Sequence, residues 1–290
     1  MNINVAIVYA FTHKGAGGNP AAVVLDADPL DTAQKLAVAR SLGLSETAFV
    51  SKSAVADFRL EFFTPNRQIA HCGHATIATF SCLLQRGRIA GTRSSKETID
   101  GTRDIHIEGD TVFMEQRAPQ YTAVSAEELR DEIFPALGLD RVDAASTVAT
   151  YVNTGNTFLI LSLPDRDTLA MLNPDQNAIN AISERHDLIG FYPFTREAAS
   201  NEFDAEARMF APRYGIPEEA ATGMAAGPLA AFLYDRLGLS LPEIRISQGA
   251  LMPAPSPSDI QVKLDIDGNV IRRLLAGGTA TVMETRSIAI

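Results

Sequence analysis

The chain has 290 residues, 46% of them hydrophobic and 21% charged, with no Trp and a formal net charge of −10. This is a globular composition, long enough for two domains of ordinary size, and it excludes a disordered chain. The acidic balance excludes a nucleic-acid groove or a basic membrane face, so an anionic ligand needs local help.

The first residues carry no basic leader, and their apolar run is interrupted by Asn2 and Asn4 and closed by His13-Lys14-Gly15. Neither a signal peptide nor a membrane span is expected, and residues 3–11 read as a first strand. A Gly-rich loop ending in Asn19-Pro20 leads to a second strand over 21–25. Asp31 and Gln34 form a capping box for a first helix that Gly43 stops. Residues 44–50 read as a strand that carries Glu46 near its start.

The stretch 58–87 reads as strand, loop and buried helix. An alternating run breaks at Pro65, and an apolar small-residue segment opens after Gly73 as a helix over 73–86. His71, Cys72 and His74 crowd its start, where a helix offers unpaired N–H groups and partial positive charge. Cys72 and Cys82 lie roughly 15 Å apart along such a helix, too far for a disulfide, which fits a reducing cytoplasm.

Residues 104–117 read as a hairpin turning at Gly109-Asp110, and 118–120 as a linker. Ser125 and Glu128 form a second capping box for a helix reaching Gly138. Strands are expected on both sides of Gly155-Asn156, helices near 168–172 and 178–185, and strands over 188–194 and 203–210. A second apolar helix over 222–237 follows, then strands over 243–247, 260–265 and 270–275 and a last one after Gly277-Gly278.

The order Phe62-Phe63-Thr64-Pro65, loop, buried helix returns as Met209-Phe210-Ala211-Pro212, loop, buried helix, with the prolines 147 positions apart. A two-fold internal repeat is the economical reading, each half wrapping strands around an apolar helix. The expected domains are 1–118 with 277–290, and 119–276.

Five motifs in this order, Gly18-Asn19-Pro20-Ala21-Ala22-Val23, Ser45-Glu46-Thr47-Ala48-Phe49, Cys72-Gly73-His74-Ala75-Thr76, Arg208-Met209-Phe210-Ala211-Pro212 and Glu218 through Pro228, closely resemble those of the phenazine biosynthesis PhzF-like family. The resemblance implies an α+β, diaminopimelate-epimerase-like fold: two pseudo-symmetric halves, each a strand barrel around a central helix, with the active site at the helix N-termini. It implies a homodimeric, cofactor-free and metal-free isomerase. Glu46 matches the family's catalytic acid/base; Asn19, His74 and Glu219 line the site. Cys72, Gly73, Thr222, Gly223 and Met224 fall in the same motifs as substrate-binding positions. The family's Asp-Pro-Ala-Thr-Gly-Ser is here Glu219-Ala220-Ala221-Thr222-Gly223-Met224. Downstream of Gln248-Gly249 the family's Gly-Arg-Pro-Ser is Pro253-Ala254-Pro255-Ser256, without the Arg.

Taken without the resemblance, Glu46 reads as a strand-end carboxylate in an ion pair, His74 as a ring tied to a backbone carbonyl, Glu219 as an exposed loop acid and His71 as solvated. With it, Glu46 is expected to take a proton from one carbon of a small carboxylate-bearing metabolite and return it to another, its pKa raised by desolvation. Cys72 reads as a small buried residue; the position matching it in the second half is Ala220, which argues against a two-thiol racemase. The alternatives are a Glu/Cys epimerase or racemase, and a non-catalytic small-molecule-binding dimer.

Overall fold

A computed structural model describes residues 1–139 and 147–290. The chain forms two compact units, residues 1–115 with 277–290, and residues 116–276. Each has a curved sheet with a buried helix on its inner face; the outer face is covered by helix Thr32–Leu42 in the first unit and by Arg166–Ala170 and Gln176–Arg185 in the second.

In the first unit, Ala280–Ala289 pairs antiparallel with Asn2–Ala10, which pairs antiparallel with Asn19–Val24. Thr47–Ser51 follows parallel, Phe58–Phe63 antiparallel, Arg93–Thr98 parallel, and Gly101–Glu108 and Thr111–Arg117 antiparallel. Parallel neighbours need long crossovers. Helix Thr32–Leu42 supplies one and helix Gly73–Gln85 the other.

The second unit repeats this succession. Gln120–Ala123, Ala149–Asn153 and Thr157–Ser162 are successively antiparallel, Gly190–Thr195 is parallel, Ala205–Ala207 antiparallel, Glu243–Gln248 parallel and Ser258–Asp267 antiparallel. Its crossovers carry Arg166–Ala170 with Gln176–Arg185, and then Gly223–Leu237. The α+β fold with two strand-wrapped helices is the one expected.

The two central helices differ from the others in composition and place. Residues 74–83 of Gly73–Gln85 are all buried, packed on the strands Asn2–Ala10, Asn19–Val24 and Ala280–Ala289. Residues 225–233 of Gly223–Leu237 are buried likewise, against Thr157–Ser162 and Ser258–Asp267. The predominance of Ala, Gly, Thr and Ser lets the strands come close, and an all-round apolar helix has no solvent face to satisfy. On the outer side, Val38 and Ala39 of helix Thr32–Leu42 cover Val5, Ile7, Val24 and Phe49. In the second unit, Ile179 and Ile182 cover Leu159, Leu161 and Phe191.

Several boundaries differ from expectation for identifiable reasons. Arg93–Thr98 was not expected as a strand because its inward residues, Ser94, Lys96 and Thr98, are polar and erase the apolar alternation. Residues 118–120 were expected as a linker, but Gln120 opens the strand Gln120–Ala123, which pairs with Ala149–Asn153. The Ser125 box is half formed: Ser125 accepts from the Glu128 N–H, while the Glu128 carboxylate accepts from the Tyr151 hydroxyl at 2.5 Å. The helix over 126–137 contains a π-helical turn, Leu129–Ile133, and ends at left-handed Gly138. The strand expected over 203–210 is confined to Ala205–Ala207. No helix among the described residues is long and apolar enough to cross a membrane.

The Asp31 capping box is complete, with the Asp31 carboxylate accepting from the Gln34 N–H at 2.8 Å and the Asp31 N–H donating to Gln34 Oε1 at 3.0 Å. Asp31→Ala is expected to cost about 1 kcal/mol, read as a lower urea midpoint, and Asp31→Asn, which still caps, to lie closer to the wild type.

Candidate active site

Glu46 sits just ahead of the strand Thr47–Ser51, rather than inside it, where the crossover from helix Thr32–Leu42 returns to the sheet. Its carbonyl accepts from the Ala22 N–H at 3.1 Å, which ties it to the neighbouring parallel strand. Asn19, buried, opens that strand. The preceding Gly18 has a φ of +87°, and a Cβ there would stand 2.3 Å from the Ala10 carbonyl oxygen, so only glycine lets the chain turn into Asn19 this tightly.

Cys72 is the N-cap of the first central helix, extended and with no side-chain cap; half-buried Gly73 is its first residue and buried His74 its second. His74 Nε2 lies 3.2 Å from Glu46 Oε2, with the side chains 5% and 13% exposed. On the other edge of the ring, Nδ1 lies 3.6 Å from Cys72 Sγ. Two elements, the start of strand Thr47–Ser51 and the N-terminus of helix Gly73–Gln85, therefore deliver a carboxylate, an imidazole and a thiol to one place.

Burial is the largest influence on the Glu46 carboxyl and raises its pKa, but the His74 imidazole beside it, helped by Ser45, more than offsets this. The net direction is downward, opposite to the expectation from desolvation alone, because the charge and hydrogen-bonding capacity of the ring favour the carboxylate. Glu46 therefore rests as an ionised base. Burial pushes the Cys72 thiol up, with the Glu46 charge adding to it and His74 opposing, so thiolate is disfavoured despite the helix end.

The same three side chains are those whose ligand atoms lie close enough to hold a metal ion among the described residues, all within 4.8 Å of one another. Carboxylate, imidazole and thiol together suit a borderline cation.

His71 is not solvated as expected. It is half-buried, 3.3 Å through Nδ1 from Lys96 Nζ, with its ring edge-on to Phe62. Burial, then the charges of Lys96 and Arg103, lower its pKa to about 3, so the ring is neutral. Lys96 was missed in the sequence because nothing marked its strand.

In the second unit Glu219, half-buried, stands before the second central helix, and its carboxylate accepts from the hydroxyl of Thr222, the buried N-cap. Gln248 fixes this turn: its Oε1 accepts from the Thr222 N–H at 3.0 Å and from the Tyr192 hydroxyl at 2.8 Å, and its Nε2 donates to the Glu219 carbonyl at 2.7 Å. Arg208 grips Glu218 with two bonds of 2.8 and 2.9 Å. Gly249, with φ +80°, allows the Ala220 carbonyl within 2.6 Å of where a Cβ would be. The half-buried Gly223 opens the helix and its carbonyl accepts from Gln116 Nε2 at 2.8 Å, while the sulfur of half-buried Met224 faces Asn156 Nδ2 at 3.5 Å. Glu219, Thr222, Gly223 and Met224 thus share one braced helix end, and Asn19, Glu46, Cys72, Gly73 and His74 belong to the first unit.

Comparisons with known proteins agree with this reading of the fold. Residues 8–286 match the family described as phenazine biosynthesis-like protein. An uncharacterized isomerase, YddE, of Escherichia coli (strain K12) is 32% identical over 298 residues, covering 98% of this chain and 97% of its own. The trans-2,3-dihydro-3-hydroxyanthranilate isomerase of Pseudomonas fluorescens is 34% identical over 266 residues, covering 87% of this chain and 88% of its own. The crystal structure of a PhzF-family phenazine biosynthesis protein from Bacillus anthracis superposes with a TM-score of 0.86 at 28% identity over the whole of both chains. With the family matched along nearly its whole length, this chain belongs to the phenazine biosynthesis-like proteins and is an isomerase.

Proposed function

We propose that the enzyme is a cofactor-independent isomerase in which Glu46 carries a proton between two carbons of a small carboxylate-bearing metabolite. The observation that carries this reading is the buried Glu46–His74 pair, 3.2 Å apart at the start of the first central helix. Carbon acids give up protons slowly, and a positioned acid/base contributes on the order of 10²–10⁴-fold. Glu46 starts ionised, takes the proton from one carbon as the double bond shifts, and delivers it to the second carbon. A carboxyl whose pKa is held low is a strong acid once protonated, which favours the return step. His74 holds Glu46 in register and offers a hydrogen-bonding ring to the reacting group. The first-turn N–H groups suit the substrate carboxylate without any net positive charge on the protein.

Glu219 carries over from the resemblance as a substrate-orienting carboxylate; in its own unit it accepts from the Thr222 hydroxyl at the start of the second central helix. The homodimer and the cytoplasmic location implied by the resemblance belong to the same proposal. The Pseudomonas relative's substrate, trans-2,3-dihydro-3-hydroxyanthranilate, is the first compound to try.

In heavy water the enzyme is expected to place deuterium on carbon of a small carboxylate, followed by NMR from that compound through other small unsaturated acids. Exchange into a carboxylate-free ketone but into none of the acids would overturn the reading. Because Glu46 must be ionised to start and its pKa is lowered, the acid limb of kcat/KM is expected below the ordinary value of 4.5; a limb well above it would place another group, or a differently held Glu46, in control. Cys72→Ala is expected to keep turnover within about threefold of the wild type. Abolished turnover in a folded Cys72→Ala protein would instead favour the Glu/Cys epimerase alternative.

A further inference from the structure

Beneath the N-terminus of the first central helix lies a cation that the Glu46–His74 chemistry does not use. Lys96 is 0% exposed, on the inward face of Arg93–Thr98. Its Nζ donates to Thr76 Oγ1 at 2.7 Å, and that hydroxyl donates in turn to the Cys72 carbonyl at 2.6 Å. Nζ also lies 3.3 Å from His71 Nδ1 and 5.4 Å from the centroid of the Phe62 ring. No carboxylate among the described residues forms an ion pair with it. Burial works against its charge, Asp100 in the adjoining turn favours it and Arg103 on the neighbouring strand opposes it, while the Cys72 thiol, kept protonated by its own burial, adds no charge.

A buried ammonium without a counter-anion is costly, and the positive end of a helix adds to the cost. A substrate carboxylate arriving at this helix end would offset both. His71 is its neighbour on the solvent side of the pair: it is half-buried where Lys96 is fully buried, it immediately precedes the N-cap, and its Nδ1 lies 3.3 Å from Lys96 Nζ.

We infer that Lys96 is a positioning residue for anion binding: its ammonium donates to His71 Nδ1, which keeps the His71 proton on Nε2 and makes that N–H a donor to the substrate carboxylate. The neutral imidazole has one donor and one acceptor, so fixing the acceptor fixes the donor. Burial pushes Lys96 down to about 7. An anion nearby favours the charged form, so carboxylate binding takes up a proton near neutrality. The inference rests on the carboxylate substrate proposed above.

Anthranilate is a suitable probe, with aniline as its counterpart lacking the carboxylate, and the absence of Trp leaves the ligand fluorescence readable. Replacing a buried ion by an apolar residue of similar volume is often neutral or stabilising. Lys96→Met is therefore expected to keep or raise the melting temperature, yet to weaken anthranilate binding about tenfold or more at slightly acid pH. Wild-type affinity should fall as pH rises through about 7, whereas Lys96→Met should lose that dependence. Aniline binding should not distinguish the two proteins. His71→Phe, which keeps a ring against Phe62, should weaken anthranilate binding to the same degree and reports independently if Lys96→Met does not fold. Wild-type anthranilate affinity and pH dependence in either folded variant would overturn the inference and leave the isomerase reading standing. A wild-type protein that binds neither anthranilate nor other small carboxylates would overturn the carboxylate reading and this inference with it.

Discussion

Glu46 can stay 3.2 Å from His74 only because the end of one crossover meets the start of the helix in the next. The first carries helix Thr32–Leu42 over the outer face and returns the chain at Glu46; the second passes through a buried helix, and His74 is the second residue of that helix. Neither side chain is long enough to compensate for a misplaced element, so the curvature of the sheet and the closeness of the helix to it are conditions for the site. The small residues of the helix serve that closeness. A single leucine in place of Ala75 or Ala78, both fully buried, would move the helix and open the pair.

The second constraint is electrostatic. Burial works against a carboxylate, and the structure overcomes it with an adjacent imidazole rather than with a guanidinium or ammonium partner. A permanent cation in direct contact would hold Glu46 ionised too firmly to accept a proton; an imidazole can yield. The ammonium that is present, Lys96, is kept one layer below, bonded to Thr76 and beside His71. At the second central helix the order is different: an amide, Gln248, and the Arg208–Glu218 pair brace the turn. The two units share a succession of strands but assign different chemistry to the same helix end.

Much of this was legible in the sequence. The capping box at Asp31, the stop at Gly43 and the hairpin at Gly109-Asp110 are local signals whose physics is complete within a few residues. The repeat was visible because the proline, the loop and the apolar helix recur in the same order. The sites of Glu46 and His74 followed from motif resemblance, and their meeting needed the fold. Lys96 was illegible for a physical reason: strand recognition relies on apolar inward residues, and Arg93–Thr98 turns Ser94, Lys96 and Thr98 inward. The direction of the Glu46 shift was misjudged because desolvation can be guessed from a buried position, whereas an opposing neighbour at 3.2 Å cannot.

The central claim is that one carboxylate, Glu46, moves the proton. Glu46→Gln keeps the size and the hydrogen-bonding reach of the side chain and removes only its capacity to accept and return a proton. Measured in heavy water, with folding checked by the melting temperature, the variant is expected to lose carbon deuteration of substrate by about a hundredfold or more. Deuteration at the wild-type rate in a folded Glu46→Gln enzyme would contradict the account.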